Sequence, residues 1–428
     1  MENNENLWPD GSPMDAWFKE GSAVALSSLG RQVILTDHGI YNDGRIYTER
    51  IQQLIDETAA SGGGVIVVPY GIYRTASIWL KQGVHLWIAA GGVLMGSDDI
   101  ADYPIVETRI EGETCSYFPA LVNADGIDGL CIGGPGTIDG NGMRSWRAFW
   151  QRRTWNPACT NKDEQRPRLL YLSNCRNVTI CDLSLQNAHF WTTHLYRCDH
   201  VKYLNCRILS PERPVKAPST DAIDIDVCTD VLIRGCTMSV NDDAVVLKGG
   251  KGPTADRLPE NGANARILVE DCRFGFSHSC LTFGSESIDD RNIIMRRVQA
   301  DGARCLLRFK LRPDTPQRYT HLLLEEAEGT VERFLAIRPW TQFYDLKGEP
   351  APPPSIVSGI TMRNCRIRCD MCFDVEPDAS QYELEDFTFE DLDIEAVQEG
   401  THVPNAHETR VRITKLTETL SFGGGEIL

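Results

Sequence analysis

The chain has 428 residues, a formal net charge of −17, 42% hydrophobic residues and 24% charged ones. That is a globular composition with ample material for a core. The negative balance excludes nucleic acid or an anionic membrane surface as partner of the whole molecule, though not a local basic pocket. The longest near-apolar run, residues 84–95, is broken by Gly-Gly and is too short to span a bilayer.

Residues 1–30 read as an N-terminal extension with neither the basic n-region nor the apolar h-region of a secretory leader. The first clear element is a helix starting at Thr48, the expected cap. Ile51, Leu54, Ile55 and Thr58 share its buried face, and Gly62–Gly64 stop it. Short β-type runs follow in "GVIVVPYGIYRT" and "SIWLKQGVHLWIAAGGVLMGS", without further helical periodicity. The segment from about 107 to 168, rich in tryptophan (Trp146, Trp150, Trp155), reads as an inserted loop that walls off one end of a cleft.

From about residue 120 an apolar–x–apolar triplet recurs: Leu130–Ile132, Val178–Ile180, Val201–Tyr203, Val231–Ile233, Ile267–Val269, Ile293–Met295, Leu322–Leu324, Ile360–Met362 and Phe387–Phe389. A repeat of roughly 20 to 30 residues built from strands without intervening helices means a solenoid. The hairpin turns of a β-sandwich are scarce. The fold class is therefore all-β: a single right-handed parallel β-helix over residues 31–428, closed at its N-terminal end by the short helix, because an open end exposes core and strand edges. A Pro-rich stretch at about 340–358 reads as an inserted loop, since the triplets resume after it.

Fifteen cysteines, an odd number with no zinc-like spacing and one CxxC ("CDMC", 369–372), read as small buried hydrophobes with inert thiols. They point to a reducing, cytoplasmic compartment.

"VNDDAVVLKGG" (240–250) sets Asp242 beside Asp243. A strand sends neighbours to opposite faces, so both can face outward only if the strand ends or bulges at Asn241–Asp243. One coil earlier stands Asp221, and later coils bring His278, then Arg308 and Lys310; the offsets are 21 (Asp221 to Asp242), 35 (Asp243 to His278) and 30 (His278 to Arg308). In a solenoid these stack as a column of acid, acid, imidazole and guanidinium. Adjacent carboxyls cannot ionise independently, so one serves as acid and another as base, as glycoside hydrolysis requires. Arg308 and Lys310 share a face and suit a carboxylate-bearing sugar. Asp224 and Asp226 alternate with Ile223 and Ile225 and read as solvent-facing or turn-bonding; Trp191 and His194 fit either a sugar platform or the core. A positive potential is expected around Arg308, Lys310, Lys248 and Arg312.

Here the sequence resembles the family 28 glycoside hydrolases, the polygalacturonases. Their motifs Asn-Thr-Asp, Gly-Asp-Asp, Gly-His-Gly and Arg-Ile-Lys find counterparts, in order, in Ser219-Thr220-Asp221, Asn241-Asp242-Asp243, Ser277-His278-Ser279 and Arg308-Phe309-Lys310. The resemblance implies inverting hydrolysis of pectic, galacturonate-containing poly- or oligosaccharides, with no metal or cofactor. Asp242 would be the general acid, Asp221 and Asp243 would activate water, and His278 would tune the acid. Arg308 and Lys310 would bind galacturonate, with His194 a further substrate-binding residue. Inversion predicts carboxylates about 6.5–9.5 Å apart. Ser219, Ala222, Asn241 and the serines flanking His278 depart from the pattern, which counts against plain homogalacturonan as the substrate, while the walled cleft favours exo action on oligosaccharides. Rival readings are a rhamnogalacturonan hydrolase or α-L-rhamnosidase, a lyase using Ca²⁺ held by Asp221, Asp224, Asp242 and Asp243, and a glycan-binding solenoid without catalysis.

Overall fold

A computed structural model describes residues 6–21 and 24–420. Three parallel sheets wind around one apolar core. The first runs through Val122–Asp125, Leu170–Ser173, Thr193–Tyr196, Ile223–Asp226, Asp243–Lys248 and Ser279–Phe283. The second contains Asp128–Gly133, Arg176–Cys181, Asp199–Leu204, Thr229–Arg234 and Ala263–Glu270. The third contains Thr137–Asp139, Ser184–Gln186, Arg207–Leu209 and Thr237–Ser239. In the C-terminal half the strands run continuously around the corners, as Asp289–Leu311, Arg318–Pro339, Ser355–Val375 and Tyr382–Thr401.

The triplets are the register of the second sheet. Leu130, Val178, Val201, Val231, Ile267, Ile293, Leu322, Ile360 and Phe387 stack one above the next as Cα partners. Outer residues of each triplet point into the core and the middle one out, the period-two rule of a strand. Corners between sheets take left-handed residues; Asn187 (φ 54°) and Asn205 (φ 55°) supply the tolerant side chain that such turns need.

Helix α1 (Thr48–Ala60) buries Ile51, Leu54, Ile55 and Thr58 against the first coil, as its sequence predicts. Each of the three aliphatic side chains contributes about 1.5–3 kcal/mol. Thr48 is not the cap: it is the first helical residue, and its hydroxyl accepts from the N–H of Ala76 at 2.7 Å. In the N-terminal segment Trp8, Met14 and Phe18 lie over an outward apolar stripe of Cys131, Cys181, Leu204, Leu232, Leu268 and Ile294.

The stretch 107–168 is not one loop. It holds an antiparallel hairpin, Val106–Ile110 with Glu113–Tyr117, then a full coil of the solenoid, then a second helix, α2 (Met143–Trp155). The helix buries Ser145, Trp146 and Phe149 among four arginines, a pattern too polar to read as amphipathic. Residues 340–354 link two long strands.

Candidate functional site

The floor of the cleft is the outer face of the first sheet. Asp243 opens the strand Asp243–Lys248, while Asn241 and Asp242 lie in the bend before it, so the chain turns where the paired aspartates need it to. The register differs by one residue from the sequence spacing: Asp243 pairs with Ser279, and His278 sits on Asp242. His278 N–H donates to the Asp242 carbonyl at 2.9 Å, and its Nδ1 lies 3.2 Å from Asp242 Oδ1.

Asp221, Asp242 and Asp243 each bring an oxygen within 4.8 Å of the others. That is tighter than the 6.5–9.5 Å expected of a pair spanning a bond and a water. Asp221 is 4% exposed and Asp243 0%; Asp242 is the accessible carboxylate, its side chain 25% exposed. Lys310 Nζ lies 2.5 Å from Asp243 Oδ2. Burial, with Asp242 and Asp224 beside it, pushes the Asp221 carboxyl well above the usual range. Burial also acts on Asp242, but His278, Lys310 and Lys248 outweigh it and hold that carboxyl low. Of these two carboxyls, Asp221 therefore holds a proton more readily than Asp242. The cluster has the spacing of a cation site, yet the ammonium of Lys310 already supplies its positive charge, and Asp224 stands outside the group.

Arg308 pairs in register with Thr282 and Ala336. Its guanidinium has no hydrogen bond or ion pair among the described residues and stacks on Trp340, 5.2 Å from the ring centroid; Lys310 Nζ lies 5.0 Å from the same ring. Trp340 escaped the sequence reading. Its signal was its place, two residues beyond Arg338, the register partner of Lys310.

Several sequence expectations are corrected by what covers the floor. His194 cannot meet a substrate: it is 0% exposed, takes a hydrogen bond from Arg168 on Nδ1 at 2.6 Å, and turns Nε2 towards Asp226, 3.4 Å away. Burial and Arg168 press its pKa to about 4, so the imidazole is neutral. Trp191 is buried too, stacked on Phe190. Asp224 and Asp226 do not face solvent. Asp226 pairs with Arg109 at 3.0 Å, both side chains 1% exposed. Asp224 is buried with neither oxygen hydrogen-bonded, and burial pushes its pKa well up. Arg312 forks onto Asp314 at 2.7 Å and is neutralised there, and Lys248 lies 3.0 Å from Glu286 while its charge still reaches Asp242.

The cover is the hairpin Val106–Tyr117. Arg109 anchors it to Asp226 and to Asn261, and Arg168 donates to its Thr108 hydroxyl and its Arg109 carbonyl. A Cβ on Gly112 at its tip would stand 3.0–3.1 Å from Gly250, Lys251 and Glu286. Glu113 ties it to Lys162 and to Lys347, each at 2.6 Å. The hairpin is thus a roof laid over the coils that carry His194 and Asp226.

A parallel β-helix with a carboxylate cluster and an unpaired guanidinium on one outer face is the class that fold and site define. The sequence profile described as Glycosyl hydrolases family 28 matches residues 106–305, and over that span the chain is similar to this family. Among curated relatives, an exo-poly-alpha-D-galacturonosidase of Dickeya chrysanthemi is 34% identical over 61% of this chain and 48% of its own length. A probable polygalacturonase of Vitis vinifera is 28% identical over 53% of this chain and 46% of its own. The chain thus spans about half the length of these relatives. Among solved structures, a hyperthermoactive exopolygalacturonase from Thermotoga maritima superposes with a TM-score of 0.73 at 22% identity, covering 91% of this chain and 93% of that one. A polygalacturonase from Erwinia carotovora gives 0.68 at 19%, covering 87% and 95%. At these identities the two structures establish the parallel β-helix.

Proposed function

We infer that the protein is an exo-acting hydrolase of galacturonate-containing pectic chains. The observation that carries this reading is the three-carboxylate cluster beside the unpaired Arg308, with the hairpin Val106–Tyr117 laid over the coil that carries Asp226. The printed activities of the polygalacturonase relatives support it.

The chemistry follows from the charges. A uronate carboxylate drawn to Arg308 places a negative charge near Asp242 and offsets the field of the neighbouring Lys310. Both effects raise the affinity of Asp242 for a proton, and the proton of Asp221 passes to it within the cluster. Asp242 then gives that proton to the glycosidic oxygen as the bond to the anomeric carbon breaks. A water attacks that carbon and releases its own proton to the carboxylate of Asp221 or Asp243. The proton count closes, and the cluster ends with the one proton it held. Asp221 and Asp243 are too buried to attack a sugar carbon themselves, which favours direct attack by water, and hence inversion, despite the tight spacing.

The test is product analysis on a panel of pectic oligosaccharides with wild type and Asp242→Asn. Release of saturated galacturonate by the wild type alone bears the reading out. Release of rhamnose moves the substrate to rhamnogalacturonan, an unsaturated product replaces hydrolysis by elimination, and no release leaves a binding solenoid. The free thiols support a reducing, cytoplasmic setting in which imported fragments are trimmed.

A further inference from the structure

Two more cations lie near the Asp242–His278 pair, and among the described residues neither has a carboxylate within hydrogen-bonding distance. The loop before Asp221 is pinned to Asn241, whose Nδ2 donates to the Pro211 carbonyl at 2.6 Å and whose N–H donates to Ser210 Oγ at 2.9 Å. The indole of Trp150 on α2 fixes the same loop by donating to the Lys216 carbonyl at 2.7 Å. Lys216 is half-buried there, and its ammonium has no hydrogen bond or ion pair among the described residues. On the next coil Arg304 N–H donates to the Ser277 carbonyl at 2.8 Å, one residue before His278. The Arg304 side chain is 12% exposed, and its ion-pair partner, Glu332, is 3.9 Å away.

These cations act on each other. Burial and Arg304 both depress the Lys216 ammonium, while Asp242 and Glu212 favour its charge. Two like charges, half-withdrawn from water and near enough for one to depress the other, destabilise the fold unless something else offsets them. Asp242 does not need them, since His278 and Lys310 already hold it ionised. Arg304 lies four residues before Arg308, up to about 13 Å of extended chain, which leaves room for two carboxylates rather than one.

We propose that Lys216 and Arg304 form a second carboxylate-binding site beside the Asp242–His278 pair, separate from Arg308, so that the preferred substrate presents two free uronates in succession. This rests on the galacturonan reading and narrows it to unesterified homogalacturonan rather than chains in which a neutral sugar alternates.

The test compares kcat/KM of wild type, Lys216→Met and Arg304→Gln on digalacturonate and on its two monomethyl esters. Each variant is expected to lose about tenfold more on digalacturonate than on the ester that already lacks the carboxylate these residues hold, the worth of one charge-assisted contact. An equal loss on all three compounds, as a structural role would give, or no loss at all, overturns the proposal while the galacturonan reading stands. A wild type that cleaves neither digalacturonate nor polygalacturonate overturns both.

Discussion

Lys310 and Asp243, 67 residues apart in sequence, form the closest ion pair of the cleft floor, Nζ to Oδ2 at 2.5 Å with side-chain exposures of 10% and 1%. Arg308, two residues away on the same strand, holds no carboxylate. The two cations that read alike in sequence therefore have separate jobs. Lys310→Met leaves a buried carboxylate unpaired and is expected to destabilise the protein by about 3–5 kcal/mol. Arg308→Met is expected to leave stability within about 0.5 kcal/mol and to raise KM for uronates at least tenfold. Chemical denaturation and steady-state kinetics on the two variants separate these effects.

The raised carboxyls of Asp221 and Asp224 oppose folding as pH rises. Each keeps in the folded chain a proton that the unfolded chain releases near its ordinary pKa, so stability is lost from about pH 4 upward, until the folded-state pKa is passed. Asn mimics the neutral carboxyl at any pH. Asp224→Asn is expected to raise Tm at neutral pH, and less so at pH 4. Asp221→Asn is expected to do the same while abolishing turnover. Melting curves at the two pH values suffice; equal shifts at both would contradict the account.

Replacing Glu111–Gly112–Glu113 by a two-residue turn removes the contact with Lys251 and the ties to Lys162 and Lys347 but keeps Arg109 on Asp226. The early products from polygalacturonate are expected to shift from monomer to a mixture containing dimers and trimers, read by chromatography. A purely monomeric product from that variant would mean that the roof does not set chain-end specificity.

All fifteen cysteines are free, and only Cys115 is partly exposed. Burial raises the Cys115 thiol as well, with Glu111 and Glu113 adding to the effect, so even this one reacts slowly. A thiol reagent at neutral pH is expected to label at most one group on the native protein and all fifteen after unfolding.

What was legible in the sequence is what local alternation controls. The nine triplets follow from a core that accepts every second side chain, and they fixed both fold and register. Asp221, Asp242, Asp243, His278, Arg308 and Lys310 were legible because each stands where a strand of the first sheet starts or runs. What covers the floor was not. Asp224, Asp226 and His194 lie on outward positions of ordinary strands, and only a hairpin from another coil buries them. The hairpin itself had a signal, Gly112 between two five-residue alternating runs, obscured by the tryptophans that follow. Helix α2 was hidden by its arginines.

The roof also has a consequence for traffic. If the hairpin closes one end of the cleft, as the exo-hydrolase proposal requires, a sugar released between it and the carboxylates would lie at a blind end with the polymer it was cut from at the mouth. It would leave only after the polymer had backed out. Each encounter would then yield one unit and end, so that many chains shorten together by small steps, and accumulating monomer would slow the enzyme by waiting in the same place.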